Sequence, residues 1–379
     1  MSNCFNRDSI HAKPLSERIN KLDVVRDTID PVRYDAVLSD EAAADVSAAA
    51  ADIRRAKVRG APVVLAFGAH SIKNGLSSTM IRLMEGGFVT HFATNGAGVI
   101  HDWEFAFQGR TGEDVRRYMD EGQFGIWDET GTYLNLAIAA GAYRGLGYGE
   151  SVGTMVLSDG LELPSDDELR AAIVAGAAPD ADQATLEKAG AAADLRALLQ
   201  SLARAAGKLE TRPGHLKIDH PWKDTCLAAA ACRNGVPFTC HPMFGHDIIY
   251  THPANRGAPI GRAAERDFLS FVNSISRLEG GTYLSLGSAV MSPMIFEKAL
   301  SMARNVAGQD GSVIKDFSLH VVDLARSTWD WNRNGEPPQD DPAYYLRFNK
   351  TFSRMGGRMS YASADNRAWL ARLVRELGA

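Results

Sequence analysis

Two stretches decide how this chain folds: Ala61-Pro62-Val63-Val64-Leu65-Ala66-Phe67-Gly68, and Phe88-Val89-Thr90-His91-Phe92-Ala93-Thr94-Asn95-Gly96-Ala97-Gly98. Each is a short apolar run, rich in β-branched and aromatic residues, that runs into glycine, as strands do where they enter a turn. Residues 75–85 between them carry helical periodicity. The order is strand, helix, strand, and a helical crossover this short joins parallel strands that are covered on both faces. The chain is therefore expected to be α/β, with a mainly parallel, Rossmann-like sheet flanked by helices.

Outward from that unit, further strands are expected at 236–240, 282–286, 317–324 and 358–362, separated by helices at 262–278 and 293–306 and followed by one at 366–377. The Ala- and Leu-rich segment 163–209 opens on Ser165-Asp166-Asp167-Glu168, a capping box, and predicts two helices. Residues 14–58 are polar and helical in pattern, with an Ala-rich part at 41–53, so 1–60 is expected to form an N-terminal helical layer. No repeat or Pro/Ser-rich linker divides the remainder. Residues 61–379 are thus read as one domain, with 163–209 as a helical excursion.

The 379 residues, 45% of them hydrophobic, suffice for a large core, and the net charge of -5 argues against a polyanion-binding surface. No Lys/Arg block is interleaved with aromatics, so nucleic acid is not an expected partner. No apolar stretch has the length of a membrane span, and the first residues lack the apolar core of a secretory signal, so a cytoplasmic location is expected. Cys4, Cys226, Cys232 and Cys240 show no CxxC pairing and read as reduced thiols. His215, His220, His241, His246, Asp247 and His252 fall close together, yet none fits HExxH or a comparable ligand spacing, and no metal site is expected.

Asn95-Gly96-Ala97-Gly98 follows a strand and precedes a helix, the place where backbone N–H groups meet phosphates, although His101 stands where a third fingerprint glycine would fall. The alternative is a tight strand-to-helix turn. Leu286-Gly287-Ser288-Ala289 makes a second such loop. Downstream, Lys350 stands two residues after Phe348, behind the acidic loop Gly335-Glu336-Pro337-Pro338-Gln339-Asp340-Asp341. A lysine becomes an imine-forming amine only when neutral, a state that burial favours. The bland reading is a solvated lysine whose stem covers apolar surface.

In the order of these segments, from residue 63 onward, the chain resembles deoxyhypusine synthase, an NAD-dependent aminobutyl transferase. Gly68-Ala69-His70-Ser71-Ile72-Lys73-Asn74-Gly75 lies where that family has a Ser/Asn-rich NAD loop, and 94–102 is similar to its Thr-Ala-Gly-Gly segment. Gly245-His246-Asp247 matches a Gly-Asp whose acid holds the polyamine, and Lys350 keeps the family lysine's spacing from Pro342 and Phe348. Departures are Pro293 in place of a substrate-holding histidine, Gly335-Glu336-Pro337-Pro338 in place of Gly-Ser-Asp-Ser-Gly, and Tyr344 in place of an acid.

The resemblance implies NAD bound by Ala69, His70, Thr94, Asn95, Gly96, Ala97, Gly98, Ser288, Ala289, Ser363 and Asp365. It implies Lys350 as the catalytic amine, and Asp247, Phe348, Glu336, Asp340 and Asp341 around a small amine or polyamine. His101 is open between a proton carrier and a helix cap, and Asp365 between a cofactor contact and a helix cap. The implied activity is aminoalkyl transfer through a lysine imine in a homotetramer. The alternatives are an amine dehydrogenase or lyase without covalent lysine, and a non-catalytic NAD-binding protein.

Overall fold

The protein is seen in a computed structural model that describes residues 4–35, 37–204 and 212–379. Two compact units emerge, one formed by Met1–Asp23, Val99–Ala229 and Pro242–Asp267, the other by Val24–Gly98, Ala230–His241 and Phe268–Ala379. The segment 1–60, expected as one helical layer, contributes residues up to Asp23 to the first unit and residues from Val24 onward to the second.

The second unit contains the six-stranded sheet. Its strands are β1 (Val63–Phe67), β2 (His91–Thr94), β3 (Phe238–Cys240), β4 (Thr282–Leu286), β5 (Ser318–Asp323) and β6 (Arg358–Ser363). They lie in the order β3-β2-β1-β4-β5-β6, every neighbouring pair parallel. Ladder pairing in β1 and β3 begins just after Pro62 and Pro237, which have no N–H to donate but still accept through their carbonyls from Thr282 and Phe92. Phe67 stands opposite both Thr94 and Leu286. The strand ends expected at Gly68, Thr94 and Leu286 therefore share one edge of the sheet.

Between and around these strands in sequence lie the helices α1 (Asp40–Arg59), α2 (Ser77–Glu85), α3 (Gly96–Gln108), α4 (Gly257–Ile275), α5 (Met291–Asp310), α6 (Arg347–Ser353) and α7 (Asn366–Leu377). Alternation along the strands separates the two faces. Val64, Ala66, Ala93, Tyr283, Leu319, Val321 and Met359 pack with Phe271, Phe296, Leu300 and Phe352 in one apolar cluster. On the opposite face, His320 and Ser360 meet α1.

Helix α1 is capped by the Ser39 hydroxyl, which accepts from Ala42 N–H, and stops at Gly60, whose φ of +66° suits only glycine. Its buried stripe of Ala42, Val46, Ala49, Ala50, Ile53 and Ala56 also contains two acids, Asp45 and Asp52. Acids belong there only with partners. His320 supplies one, with Nδ1 at 3.0 Å from Asp45 and Nε2 at 3.0 Å from Asp52. Trp369 donates to Asp45 at 2.8 Å, and Arg358 to both Asp52 oxygens at 2.6 Å. Burial disfavours the His320 cation, but hydrogen bonds to the two aspartates outweigh it and raise the pKa. Burial likewise disfavours the Asp52 anion, and His320 with Arg358 pulls that carboxyl below the usual range.

In the first unit, Arg18 makes a bidentate buried pair with Glu104, both bonds at 2.7 Å. Two-stranded antiparallel ladders join Asn20–Asp23 to Arg110–Glu113 and Gly160–Leu163 to Gly214–Lys217. The expected helix pair occupies Asp166–Ala175 and Gln183–Arg204, with the Ser165/Glu168 capping box formed as expected. Residues 205–209 of that excursion lie outside the described residues. Among the described residues, no helix is long and apolar enough to cross a membrane.

The His320 clamp predicts a two-sided pH dependence of stability. With a raised folded pKa, the histidine contribution is complete below its ordinary 6.5 and lost as pH rises through the folded value. With a lowered one, the Asp52 contribution is complete above its ordinary 3.8 and lost as pH falls through the folded value. His320→Gln should cost about 3–5 kcal/mol in urea unfolding at pH 6, since it removes the ring that bridges the two buried carboxylates and leaves Asp52 to Arg358 and Arg55. It should also flatten the decline in stability above pH 6.5.

Candidate functional site

The sheet order reverses direction between β1 and β4, and there the two strand exits touch. A Cβ on Gly68 would stand 2.1 Å from the Gly287 carbonyl oxygen, so no side chain fits between them. Gly68 N–H donates to Leu286 O at 3.0 Å, and Gly287 N–H to Val322 O at 2.8 Å. The β1 exit loop is also fastened to the start of α7: Asn366 donates to Ser71 Oγ at 3.2 Å and accepts from Asn74 at 2.9 Å. Ala69 and His70 follow Gly68 directly. His70 is exposed, and its pKa is lowered by partial burial of its ring and by Lys73.

At the next strand, the Thr94 hydroxyl donates to Phe67 O at 3.0 Å, locking β2 to β1. Asn95 opens α3 by accepting from Gly98 N–H at 2.9 Å. Gly98 must lack a side chain, because a Cβ would stand 2.2 Å from Thr94 Oγ1. Gly96 and Ala97 thus sit in a first helical turn pressed onto a strand end. Past β4, Ser288 Oγ accepts from Ser292 N–H at 3.1 Å, and Ala289 is exposed beside it. The structure brings 69–70, 94–98 and 288–289 to the ends of three adjacent strands.

Ser363 ends β6, the outer strand beyond β5, and Asp365 caps α7 by accepting from Arg367 N–H at 2.8 Å while pairing with that residue's guanidinium at 2.7 Å. Lys350 stands on α6, within the β5-to-β6 crossover. Its Nζ is 3.6 Å from Glu336 and 3.6 Å above the centre of the Tyr344 ring. Arg354 grips both Glu336 oxygens at 2.7 Å and holds that carboxyl below its usual range, while a hydrogen bond from Lys350 lowers the Tyr344 phenol. Phe348 is buried against Tyr361, with ring centres 6.1 Å apart. Asp341 caps the short turn Pro342–Tyr345 by accepting from Ala343 N–H at 2.8 Å, and Asp340 is exposed.

His101 and Asp247 belong to the first unit, not to the unit that carries Lys350. His101 Nδ1 is 2.7 Å from Thr111 Oγ1, beside the buried Arg18–Glu104 pair. Asp247 is buried where the chain enters the turn Ile248–Thr251. The same unit holds a cavity of about 300 Å³ lined by Asp8, His11, Asp128, Glu129, Tyr133 and His252, among others. Its acids already have local work: His252 stands 3.5 Å from Asp128, and Glu129 accepts from Leu15 N–H at 2.6 Å.

One group at the sheet edge escaped the sequence reading. His241, just past β3, is bonded through Nε2 to Thr239 Oγ1 at 2.9 Å; that hydroxyl meets His91 Nε2 at 3.0 Å, and His91 Nδ1 meets Ser274 Oγ at 2.8 Å. Burial pushes both imidazoles down to about 3. The signal was the alternation Phe238-Thr239-Cys240-His241, which puts Thr239 and His241 on one face.

No protein-family profile matches the chain, and no curated protein matches it. Among solved structures it is similar to AgrE in its ternary complex with ornithine and NAD+, at 14% identity and a TM-score of 0.43 over 90% of this chain and 34% of AgrE. It is similar to ArgZ, an arginine dihydrolase of the cyanobacterial ornithine–ammonia cycle, at 13% identity and a TM-score of 0.39 over 88% and 32% of the two chains. A conserved LOR/SDH protein from Methanococcus maripaludis S2 gives 9% identity and a TM-score of 0.43 over 92% and 73%. The chain spans about a third of the length of AgrE. Deoxyhypusine synthase is not among these three.

Gly68→Ala tests the contact at the sheet's reversal. The added methyl must push the β1 and β4 exits apart, at a cost of about 1–3 kcal/mol typical of overpacking. Chemical denaturation should show that loss, whereas Gly122→Ala, at a glycine with open space around its Cβ, should show only the smaller strain of its φ of +64°.

Proposed function

We propose that this protein is an NAD-dependent enzyme that acts at the carbon–nitrogen bond of a small primary amine or amino acid, as a dehydrogenase or lyase. The observation that carries the cofactor is the strand order 3-2-1-4-5-6, since doubly wound sheets of this order bind dinucleotides outside the carboxyl ends of the strands, at the point of reversal. The residues fit such a group. Gly68 and Gly287 offer bare backbone at that point, and the first turn of α3 presents N–H groups at the next strand end, where a phosphate is favoured. When bound, NAD would accept a hydride from the carbon that bears nitrogen.

The amine class comes from the sequence resemblance to a polyamine-handling family. The non-covalent form is supported by Lys350, whose ammonium is already engaged by Glu336 and Tyr344. Aminoalkyl transfer through a lysine imine is the second reading, favoured by the Pro342, Phe348 and Lys350 spacing. It would require the lysine to leave that pair and lose its proton before attacking.

Calorimetry should detect NAD binding, and Gly68→Ala should weaken it at least tenfold, about 1.4 kcal/mol. Absence of NAD binding by the wild-type protein would overturn the reading. NADH absorbance during incubation with small amines and amino acids then identifies the substrate. Lys350→Arg keeps the charge but cannot form an imine. A dehydrogenase should keep forming NADH in that variant, whereas an imine-dependent transferase should lose all transfer.

A further inference from the structure

We infer that Ser274, His91, Thr239 and His241 form a proton relay that serves this amine chemistry, with His241 as the group that takes the proton from the substrate ammonium. The inference rests on the proposed amine reaction, but the relay itself is independent geometry. Three hydrogen bonds of 2.8, 3.0 and 2.9 Å link the four side chains without a break. The chain runs along the β2–β3 face under α4, from Ser274 to the residue that follows the last position of β3. There, His241 N–H donates to Thr94 O at 2.8 Å, which fixes its backbone beside Asn95, the start of the α3 turn assigned to the cofactor.

Ser274, at the far end, is buried at 4% exposure, and the two rings differ in access. His91 has no exposed surface and both ring nitrogens are bonded, whereas His241 keeps 7% exposure, and its Nδ1 makes no hydrogen bond among the described residues. Phe271 closes the apolar side, edge-on to both rings at 5.6 and 5.2 Å. No carboxylate bonds to either imidazole among the described residues. The charges acting on His91 are the His241 ring and Arg277, and both add to burial in keeping it neutral. Each neutral ring carries one N–H and one lone pair, and each hydroxyl can donate and accept, so the chain can conduct in either direction.

The reaction balances in protons and electrons. The substrate R2CH–NH3+ gives one proton to His241 Nδ1, and the N–H at Nε2 passes its proton to Thr239. The Thr239 hydroxyl proton moves to His91 Nε2, and the His91 Nδ1 proton moves to Ser274, which releases one to water. The freed nitrogen lone pair can then form the C=N bond as the C–H bond breaks, and NAD, when bound, would take up the hydride. His241 is the catalytic residue here, and Thr239, His91 and Ser274 act through it.

Thr239→Val interrupts the relay while keeping a β-branched shape in β3. It should lower kcat for amine-dependent NADH formation by roughly a hundredfold, the scale of general acid–base catalysis. KM and NAD affinity should stay unchanged, the acid limb of the kcat profile should shift, and Thr239→Ser should restore activity. Wild-type kcat with an unshifted profile in Thr239→Val would overturn the relay. If no amine yields NADH with the wild-type protein, the functional reading fails, and imidazole ¹⁵N resonances judge the relay separately. One protonated nitrogen on each ring at pH 7, with both rings perturbed in Thr239→Val, supports the linked chain; a doubly protonated ring or rings indifferent to Thr239→Val overturns it.

Discussion

The bare backbone contact between Gly68 and Gly287 is the constraint on which the working edge of the sheet depends. A parallel sheet that grows first to one side of β1 and then to the other must send two exits in different directions from adjacent strands. The first residue of the β1 exit lies so close to the Gly287 carbonyl that it can carry no side chain, whereas Gly287 itself has room for a Cβ and is suited to its place by a φ of +55°. Asn366 then ties the β1 exit to the head of α7, and Thr94 ties β2 to β1 through its hydroxyl. Four chain segments distant in sequence are thereby held in one register, and a ligand that spans the edge meets preset backbone instead of ordering it. Preset geometry lowers the entropic cost of binding.

The same sheet buries histidines on both faces and shifts their pKa values in opposite directions. His320 faces two carboxylates of α1, and their hydrogen bonds raise its pKa despite burial. His91 and His241 face hydroxyls and an aromatic edge, and burial above all drives them down to about 3. The difference lies in partner chemistry, not in depth. A carboxylate compensates the cation, whereas a hydroxyl accepts one hydrogen bond from the ring and compensates nothing. One face therefore has a fixed ionic clamp that holds a helix, and the other has neutral rings that can still exchange a proton.

How much of this was legible in the sequence depends on how local each feature is. The strands from Val63, His91, Thr282, Ser318 and Arg358, the Ser165 cap and the helix Asn366–Leu377 are written in short periodic runs, and they stand within a few residues of where they are expected. Asp45 and Asp52 interrupt the α1 stripe, and apart from Arg55, which pairs with Asp52, their partners His320, Arg358 and Trp369 are distant in sequence. The division into two units was not legible either. Its boundary between Gly98 and Val99 falls inside one unbroken helix, so no linker composition marks it. The acidic loop before Lys350 was visible, but not that Glu336 reaches the ammonium while Asp341 caps a turn.

That last distinction bears on the chemistry. An imine-forming lysine must present a free lone pair, whereas Lys350 has a carboxylate on one side and a ring face on the other, both of which attract an ammonium. Glu336 is also bonded to Arg354 through both oxygens. Removing hydride from an amine makes a smaller demand. The nitrogen must lose one proton before its lone pair can form the C=N bond, and a neutral imidazole that hands its own N–H proton onward can take it without holding the charge that burial disfavours. In this unit a neutral histidine stands at the end of β3, beside the strand end where the α3 turn begins. Lys350 thus stands in an ion pair on the β5-to-β6 crossover, while the ring at the end of β3 has no charged partner among the described residues.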